Sequence, residues 1–255
     1  MNFFTQEIVE EIYWLNQEVY KAYQEGQYKQ ALDLAQQACT LAQQYLDIEH
    51  PDYASSLNNL AWLYDSMGRW AEAEPLYQEA LEIQQRVLGT EHPKYDASLN
   101  NLAELYKSMG RWTEAEPLYQ EALEIRQRVL GTEHPDYAIS LNNLAFLYTS
   151  MGRWAEAEPL YREALEIRQR VLGTEHPDYA ISLNNLAFLY TSMGRLTEAA
   201  PLYREALEIR QRVLGTEHLD YATSLINLAS VYKCLGRWAE AESLYREALE
   251  ALLKE

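Results

Sequence analysis

One histidine recurs with a strict interval: His50, His92, His134, His176 and His218 stand 42 residues apart, each after a glutamate and all but the last before a proline. A fixed period of this kind constrains the fold more than any other feature, because periods of roughly 20–50 residues mark chains built by stacking one supersecondary unit. Each unit runs through the same landmarks in the same order: His-Pro, Leu-Asn-Asn-Leu-Ala, Tyr, Gly-Arg-Trp, Ala-Glu-Pro-Leu-Tyr and a closing Val-Leu-Gly. The unit from His134 to Glu175 differs from that of His176 to Glu217 only at Trp154/Leu196, Ala155/Thr197 and Glu158/Ala200. Such near-identity implies duplication and a regular stack.

Two amphipathic helices per unit follow from the spacing. Leu57, Leu60, Ala61 and Tyr64 fall at i, i+3, i+4 and i+7, on one side of a 3.6-residue helix. Proline suits the first helical position because its missing N–H would be unpaired there, so Pro51, Pro93, Pro135 and Pro177 mark helix starts. Gly68 and its equivalents break the pattern past the tyrosine, where a left-handed residue ends a helix. The second helix carries Ala73, Leu76, Tyr77, Ala80, Leu81, Ile83, Val87 and Leu88 at helical spacing, and Gly89 closes it. No pair could bury such faces alone, so neighbours must stack. Residues 15–46 echo the same pattern, which brings the expected number of helical hairpins to six.

At these residues the chain resembles tetratricopeptide repeats, in the 42-residue form found in kinesin light chains and related bacterial proteins; the ordinary repeat has about 34 residues. The resemblance covers about residues 15–253 and rests on Leu-Asn-Asn-Leu-Ala, Gly-Arg-Trp, Ala-Glu-Pro-Leu-Tyr and Leu-Gly-Thr-Glu-His-Pro. It implies an all-α, right-handed superhelical solenoid whose concave groove, lined by the first helices, holds peptide segments of partner proteins. The whole chain, 1–255, is then one array: a divergent N-terminal capping pair at 1–49, then repeats at 50–91, 92–133, 134–175, 176–217 and 218–255, the last shortened.

Around the first helix, with Leu57 at 0°, the core set lies between about 300° and 40°, while Ser55, Asn58, Trp62, Asp65 and Ser66 gather between about 80° and 180°. Asn59 falls near 200°, beside Leu63, and is expected to border the helix packing and bond local backbone. The series on the separate face is Asn58, Asn100, Asn142 and Asn184, broken at Ile226. An amide both donates and accepts, so such a ladder can pair with an extended peptide backbone. The alternative is that these amides bond only within the stack and to solvent. The resemblance assigns the cargo-backbone role to Asn100, Asn142 and Asn184. Sequence preference would then come from Ile139, Phe146, Ile181 and Phe188, which make two apolar pockets where other repeats place Trp62 and Glu104. Light chains hold acidic cargo motifs with basic groove residues; here that face offers Lys107 and Lys233 but also Asp65 and Glu104. Arg126, Arg168 and Arg210, late in the second helix, have two readings, turned into the groove or standing as solvated arginines.

Enzyme chemistry has no foothold in this pattern. Catalysis needs unlike groups converging on one point, whereas the polar residues here form parallel ladders. The five histidines sit one per repeat, roughly 20 Å apart, too far to share a metal. They read as turn residues, with the His218-Leu219 corner looser for want of its proline. Cys39 and Cys234 lie far apart in sequence and read as packing residues. No cofactor or metal is expected. Glu82/Arg86 and its equivalents are spaced for i, i+4 ion pairs.

Charge removes two partner classes. With 39 acidic and 21 basic residues the net charge is -18, which repels nucleic acid and anionic lipid. No apolar run approaches the roughly 20 residues of a membrane span, and the start lacks the basic region of a signal peptide, so a cytoplasmic location is expected. A solenoid end exposes a face made for another repeat. Phe3, Phe4, Ile8, Ile12, Tyr13 and Trp14 suit a first capping helix, whereas Leu252-Leu253-Lys254-Glu255 supplies no polar cap. The expected function is a scaffold binding a peptide or protein in its groove. The alternatives are a structural module self-associating end to end through its C-terminal repeat, or a sensor or spacer array from a larger signalling protein.

Overall fold

The computed structural model describes residues 3–253, with side chains from Gln6 onward; Phe3, Phe4, Lys254 and Glu255 of the terminal expectations lie outside the described side chains. Six helical hairpins follow one another: α1 (Phe3–Gln24) with α2 (Tyr28–Tyr45), α3 (Pro51–Ser66) with α4 (Trp70–Leu88), α5 (Pro93–Ser108) with α6 (Trp112–Leu130), α7 (Pro135–Ser150) with α8 (Trp154–Leu172), α9 (Pro177–Ser192) with α10 (Leu196–Leu214), and α11 (Leu219–Cys234) with α12 (Trp238–Leu252). No strand occurs among the described residues, and no described helix is long and apolar enough to cross a membrane. The helices form two compact units, Met1–Ile125 and Arg126–Glu255.

The periodic histidine is a helix cap. Its backbone is extended, and its Nδ1 accepts the N–H two residues on: Asp52 at 3.2 Å from His50, and Lys94, Asp136, Asp178 and Asp220 at 3.1 Å in the later repeats. One of the orphan donors of each first turn is thereby satisfied. The His218 corner is no looser than the others: φ and ψ of -83° and 138° match those of His176, so the cap alone sets the geometry without proline. At the other end of α3, Arg69 N–H bonds Tyr64 C=O at 2.8 Å and Gly68 N–H bonds Asp65 C=O at 2.8 Å, which requires the positive φ of 71° at Gly68.

Within each hairpin, alanines at the closest approach are fully buried, as at Ala73, Ala80, Ala115, Ala122, Ala157 and Ala164, and Tyr77, Tyr119 and Tyr161 fill the wider space beside them. The first unit packs α2 on α3 and α4 on α5; the second packs α8 on α9 and α10 on α11. A polar latch joins the repeats at these contacts. In the first unit Tyr106 Oη accepts from Gln78 Nε2 at 2.8 Å and donates to Glu74 Oε1 at 3.1 Å, while Arg111 bonds Glu74 Oε2 at 2.7 Å and lies 4.3 Å over the Tyr106 ring. The second unit repeats it: Arg162 to Tyr190 Oη at 2.7 Å, Tyr190 Oη to Glu158 at 3.0 Å, and Arg195 to Glu158 at 2.9 Å and over the Tyr190 ring at 4.2 Å. Ala200 removes the acid one repeat later, leaving Arg204 on Tyr232 Oη at 2.5 Å and Arg237 over the ring at 3.9 Å. The arginines expected in i, i+4 pairs reach instead for the preceding turn: Arg86 to Glu49 at 3.1 Å, Arg170 to Glu133 at 2.6 Å and Arg212 to Glu175 at 2.8 Å.

Burial alone would raise the Glu158 pKa, but hydrogen bonds from Arg162, Tyr190 and Arg195 outweigh it and hold the carboxyl below its ordinary range. A depressed folded-state pKa means that this stabilisation is complete above the ordinary glutamate range and is lost as pH falls through the folded-state value. Glu158→Ala, which copies the natural Ala200, is expected to lower stability by about 1 kcal/mol at pH 7 after allowance for solvent screening. The gap should narrow as the pH is lowered below the ordinary glutamate range, as read by chemical denaturation of both proteins at neutral and acidic pH.

Candidate peptide-binding face

The residues singled out by the sequence lie on the first helices and at the ends of the second, and the two units use them differently. In the first unit Trp62 of α3 is half-buried against Tyr23, with ring centroids 4.4 Å apart, and Tyr20, at 6.1 Å. One repeat on, in α5, Glu104 accepts Tyr119 Oη at 2.6 Å and pairs with Lys107, so that lysine is tied to an acid on its own helix. Asp65 faces the same region, its pKa raised first by burial and then by the nearby Glu104 charge. This face is aromatic and acidic.

The second unit replaces those groups with hydrocarbon. Phe146 of α7 and Phe188 of α9 stack with centroids 5.9 Å apart and planes 18° from parallel. They remain 37% and 40% exposed, and Ile139 and Ile181, one turn pair earlier on the same helices, are 38% and 37% exposed. The four form a continuous apolar strip. The change also alters what lies beneath: Tyr119 Oη finds Glu104 and Tyr245 Oη finds Ser230 at 2.9 Å, whereas the residue at that register beside the buried Tyr161 is Phe146, which offers its hydroxyl no acceptor.

The asparagine pairs do not all stand open. Asn142 is only 6% exposed; its Nδ2 donates to Ala138 C=O at 2.8 Å and its Oδ1 accepts from Asn185 Nδ2 at 3.3 Å. Asn227 donates to Asn184 Oδ1 at 3.0 Å, and in the first unit Asn59 donates to Asn16 Oδ1 at 2.8 Å. In these three cases the second asparagine bonds the asparagine 43 residues earlier rather than local backbone, which ties first helices together, whereas Asn58 Oδ1 has no hydrogen-bond partner among the described residues. Asn58 Nδ2 donates to Ser98 Oγ at 2.6 Å, and Asn100 Nδ2 donates to Asp96 C=O at 2.9 Å. Asn184 is half-buried, and its Nδ2 makes no hydrogen bond among the described residues.

Burial also decides the arginines. Arg168 and Arg210 are 5% and 7% exposed, with Nη1 of Arg168 on Asp178 C=O at 2.9 Å and Ser182 Oγ at 3.0 Å, and Nη1 of Arg210 on Ser224 Oγ at 2.6 Å. They are neither groove cations nor solvated: both wedge into the first turns of the next repeat, and burial pulls their pKa down. Arg126, half-buried, donates to Asp136 C=O at 3.0 Å in the same manner. The serines that receive these groups, Ser182 and Ser224, were not among the residues read as functional. Their signal was a conserved interval, Ser56, Ser98, Ser140, Ser182 and Ser224 at the 42-residue spacing. Among the described residues no group of three or more His, Cys, Asp or Glu could hold a metal ion, and the Cys39 thiol is pushed up to about 12 by burial and by Glu79.

Stacked helical hairpins with a graded first-helix face define a repeat scaffold. The tetratricopeptide repeat family model matches residues 21–86, 65–110, 95–169, 136–211 and 178–254, and the chain belongs to that family. Among solved structures it is similar to the nearly identical TPR-like repeats of a Podosopora anserina protein of kinesin light chain type, at 32% identity over 81% of this chain and 98% of that one, with a TM-score of 0.68. It is likewise similar to BtubC (BKLC) from P. vanneervenii, at 26% identity, covering 98% of this chain and 91% of that one, with a TM-score of 0.67. A Rap protein complexed with competence and sporulation factor shares the fold at 16% identity, covering 96% of this chain and 75% of that one, with a TM-score of 0.64. No curated protein matches the sequence.

Asn142→Ala is expected to remove the acceptor of Asn185 and leave that amide short of a partner, lowering stability by about 1–2 kcal/mol. Urea denaturation followed by circular dichroism checks this: the midpoint should fall while the helical signal of the folded protein stays unchanged.

Proposed function

We propose that this chain is a protein-protein interaction scaffold, without catalytic chemistry of its own, that holds an extended peptide segment of a partner along the first helices of its second unit. The observation that carries the reading is the strip of Ile139, Phe146, Ile181 and Phe188, which leaves large side chains part-exposed on an otherwise strongly charged chain. Each Phe ring has roughly 1–2 kcal/mol of further burial to gain when covered. Asn184 adds a backbone-reading group, because with its Oδ1 held by Asn227 its Nδ2 is a donor suited to a peptide carbonyl. Asn142, closed within the stack, serves the site by fixing the spacing of α7 and α9. Asn100, Asn58, Trp62 and Lys107 belong to the first unit's face, where aromatic and acidic groups favour a different stretch of ligand. The Rap protein crystallised with competence and sporulation factor gives a precedent for a ligand complex on this fold alone.

The acidic environment of Asp65 and Glu104 supports a partner segment that is apolar where it crosses the second unit and not acidic where it reaches the first. Selection from a random peptide library displayed against the whole chain tests the reading. Enriched peptides should carry apolar side chains at alternate positions, and Phe146→Ala with Phe188→Ala should weaken them at least tenfold in Kd while circular dichroism shows the helical fold retained. Enrichment indifferent to both substitutions would refute it.

A further inference from the structure

The first unit sets aromatic rings and acids in two adjoining rows. One period apart on α1, α3 and α5 stand Tyr20, Trp62 and Glu104, and three residues later on the same helices stand Tyr23, Asp65 and Lys107. Tyr20 is 57% exposed, and its ring centroid lies 6.1 Å from that of the half-buried Trp62. Tyr20 also walls a cavity of about 380 Å³ with Tyr13, Asn16, Gln17, Ser55 and Asn59, so open space adjoins the rings.

The acids here exceed their compensation. Glu104 pairs with Lys107, but one lysine does not serve both carboxylates: at Asp65, burial and the Glu104 charge outweigh Lys107 and the Trp70 indole and push the pKa up. Tyr77 adds an independent observation. It is 1% exposed, and its hydroxyl is hydrogen-bonded to neither Asp65 nor Glu104 although both charges act on it. Its counterpart Tyr119 donates at 2.6 Å to Glu104, the residue 15 positions earlier; 15 positions before Tyr77 stands Trp62, which offers no acceptor.

Two under-compensated carboxylates, a buried phenol and exposed rings suit an organic cation. They do not suit a metal ion, which takes more oxygen ligands than two acids provide, and among the described residues no group of three or more His, Cys, Asp or Glu could hold one. An ammonium is a compact point charge, whereas a guanidinium is flat, stacks on rings and divides its N–H groups among several acceptors, a phenol oxygen included. The stack itself uses that arrangement: Arg111 lies 4.3 Å over the Tyr106 ring while it bonds Glu74 and Glu114, each at 2.7 Å. Long-range charge acts in the same direction, since residues 1–91 carry 15 acidic and 4 basic side chains and attract a positive segment.

Taking the chain as the peptide scaffold proposed above, we infer that the first unit's face binds an arginine side chain of the partner segment, with the guanidinium on the Tyr20 and Trp62 rings and its N–H groups shared between Asp65 and Glu104. The Tyr77 hydroxyl is a further acceptor within the same cluster. Sequence preference on this face is thus for positive charge, where the Phe146/Phe188 strip prefers hydrocarbon.

Nuclear magnetic resonance of the whole chain tests this with three blocked tripeptides: acetyl-Gly-Arg-Gly-amide, the lysine peptide of equal charge, and the citrulline peptide of similar shape and no charge. The Trp62 indole and Tyr20 ring resonances should move saturably with the arginine peptide at millimolar affinity, about threefold or more weaker with lysine and not at all with citrulline. Asp65→Asn with Glu104→Gln, which keep the size of both side chains and an acceptor for Trp70 and Tyr119, should weaken the arginine peptide about fivefold or more with the circular dichroism unchanged. Phe146→Ala with Phe188→Ala should leave it unaffected, which separates this site from the apolar strip. Equal response to lysine and arginine, affinity indifferent to the loss of the two carboxylates, or unmoved Trp62 and Tyr20 resonances would overturn the inference and leave the reading of the strip standing.

Discussion

The structure depends on the inability of one helical hairpin to cover its own apolar faces. Each second helix carries a stripe that only the next first helix can bury, so the chain folds by handing an exposed face along. The 42-residue period makes this exchange identical at each step, and the polar contacts recur at constant sequence offsets. Tyrosine hydroxyls are met by groups 28 residues earlier, at Gln36/Tyr64, Gln78/Tyr106, Arg162/Tyr190 and Arg204/Tyr232. Asparagine amides meet partners 43 residues apart, at Asn16/Asn59, Asn142/Asn185 and Asn184/Asn227. Burying these groups without partners would cost more than the hydrocarbon around them returns, so the period itself is under physical constraint.

Local chemistry made the hairpins legible. A proline at the first helical position, a glycine at the left-handed turn and an apolar stripe at 3.6-residue spacing each act within one helix or one turn, and a single sequence displays them. The polar sites were harder, because they are made between helices. A helical projection of α7 sets Asn142 on a face distinct from the core, but that face is closed by α9, and only a neighbour's position turns an apparently open amide into a 6% exposed one. The same holds for Arg168 and Arg210: late arginines on a charged helix look solvated until the next repeat lays Ser182 and Ser224 over them. The histidine corner is the converse case, where His218 without its proline keeps the geometry because the imidazole supplies the missing acceptor itself.

The division between structural and available groups follows from the same exchange. Residues that recur through most repeats, among them the asparagines, Ser182 and Ser224, and the Tyr-Arg pair, are spent on joining repeats. Residues that vary at one register are those the stack does not need. Position 62 and its equivalents read Trp62, Glu104, Phe146, Phe188 and Ser230, and they are where the two units acquire different surfaces. Variation at a fixed position on a rigid repeat is how a common scaffold obtains a particular ligand.

The separation of a binding strip from the amides that space it can be read directly by nuclear magnetic resonance of the whole chain with a library-selected peptide. The methyl resonances of Ile139 and Ile181 and the ring resonances of Phe146 and Phe188 should move on titration, and so should the Asn184 side-chain amide, while the Asn142 and Asn185 side-chain amides hold their positions. Large shifts at Asn142 and Asn185 with the isoleucine methyls unmoved would contradict it, and would place the ligand on the asparagine ladder instead.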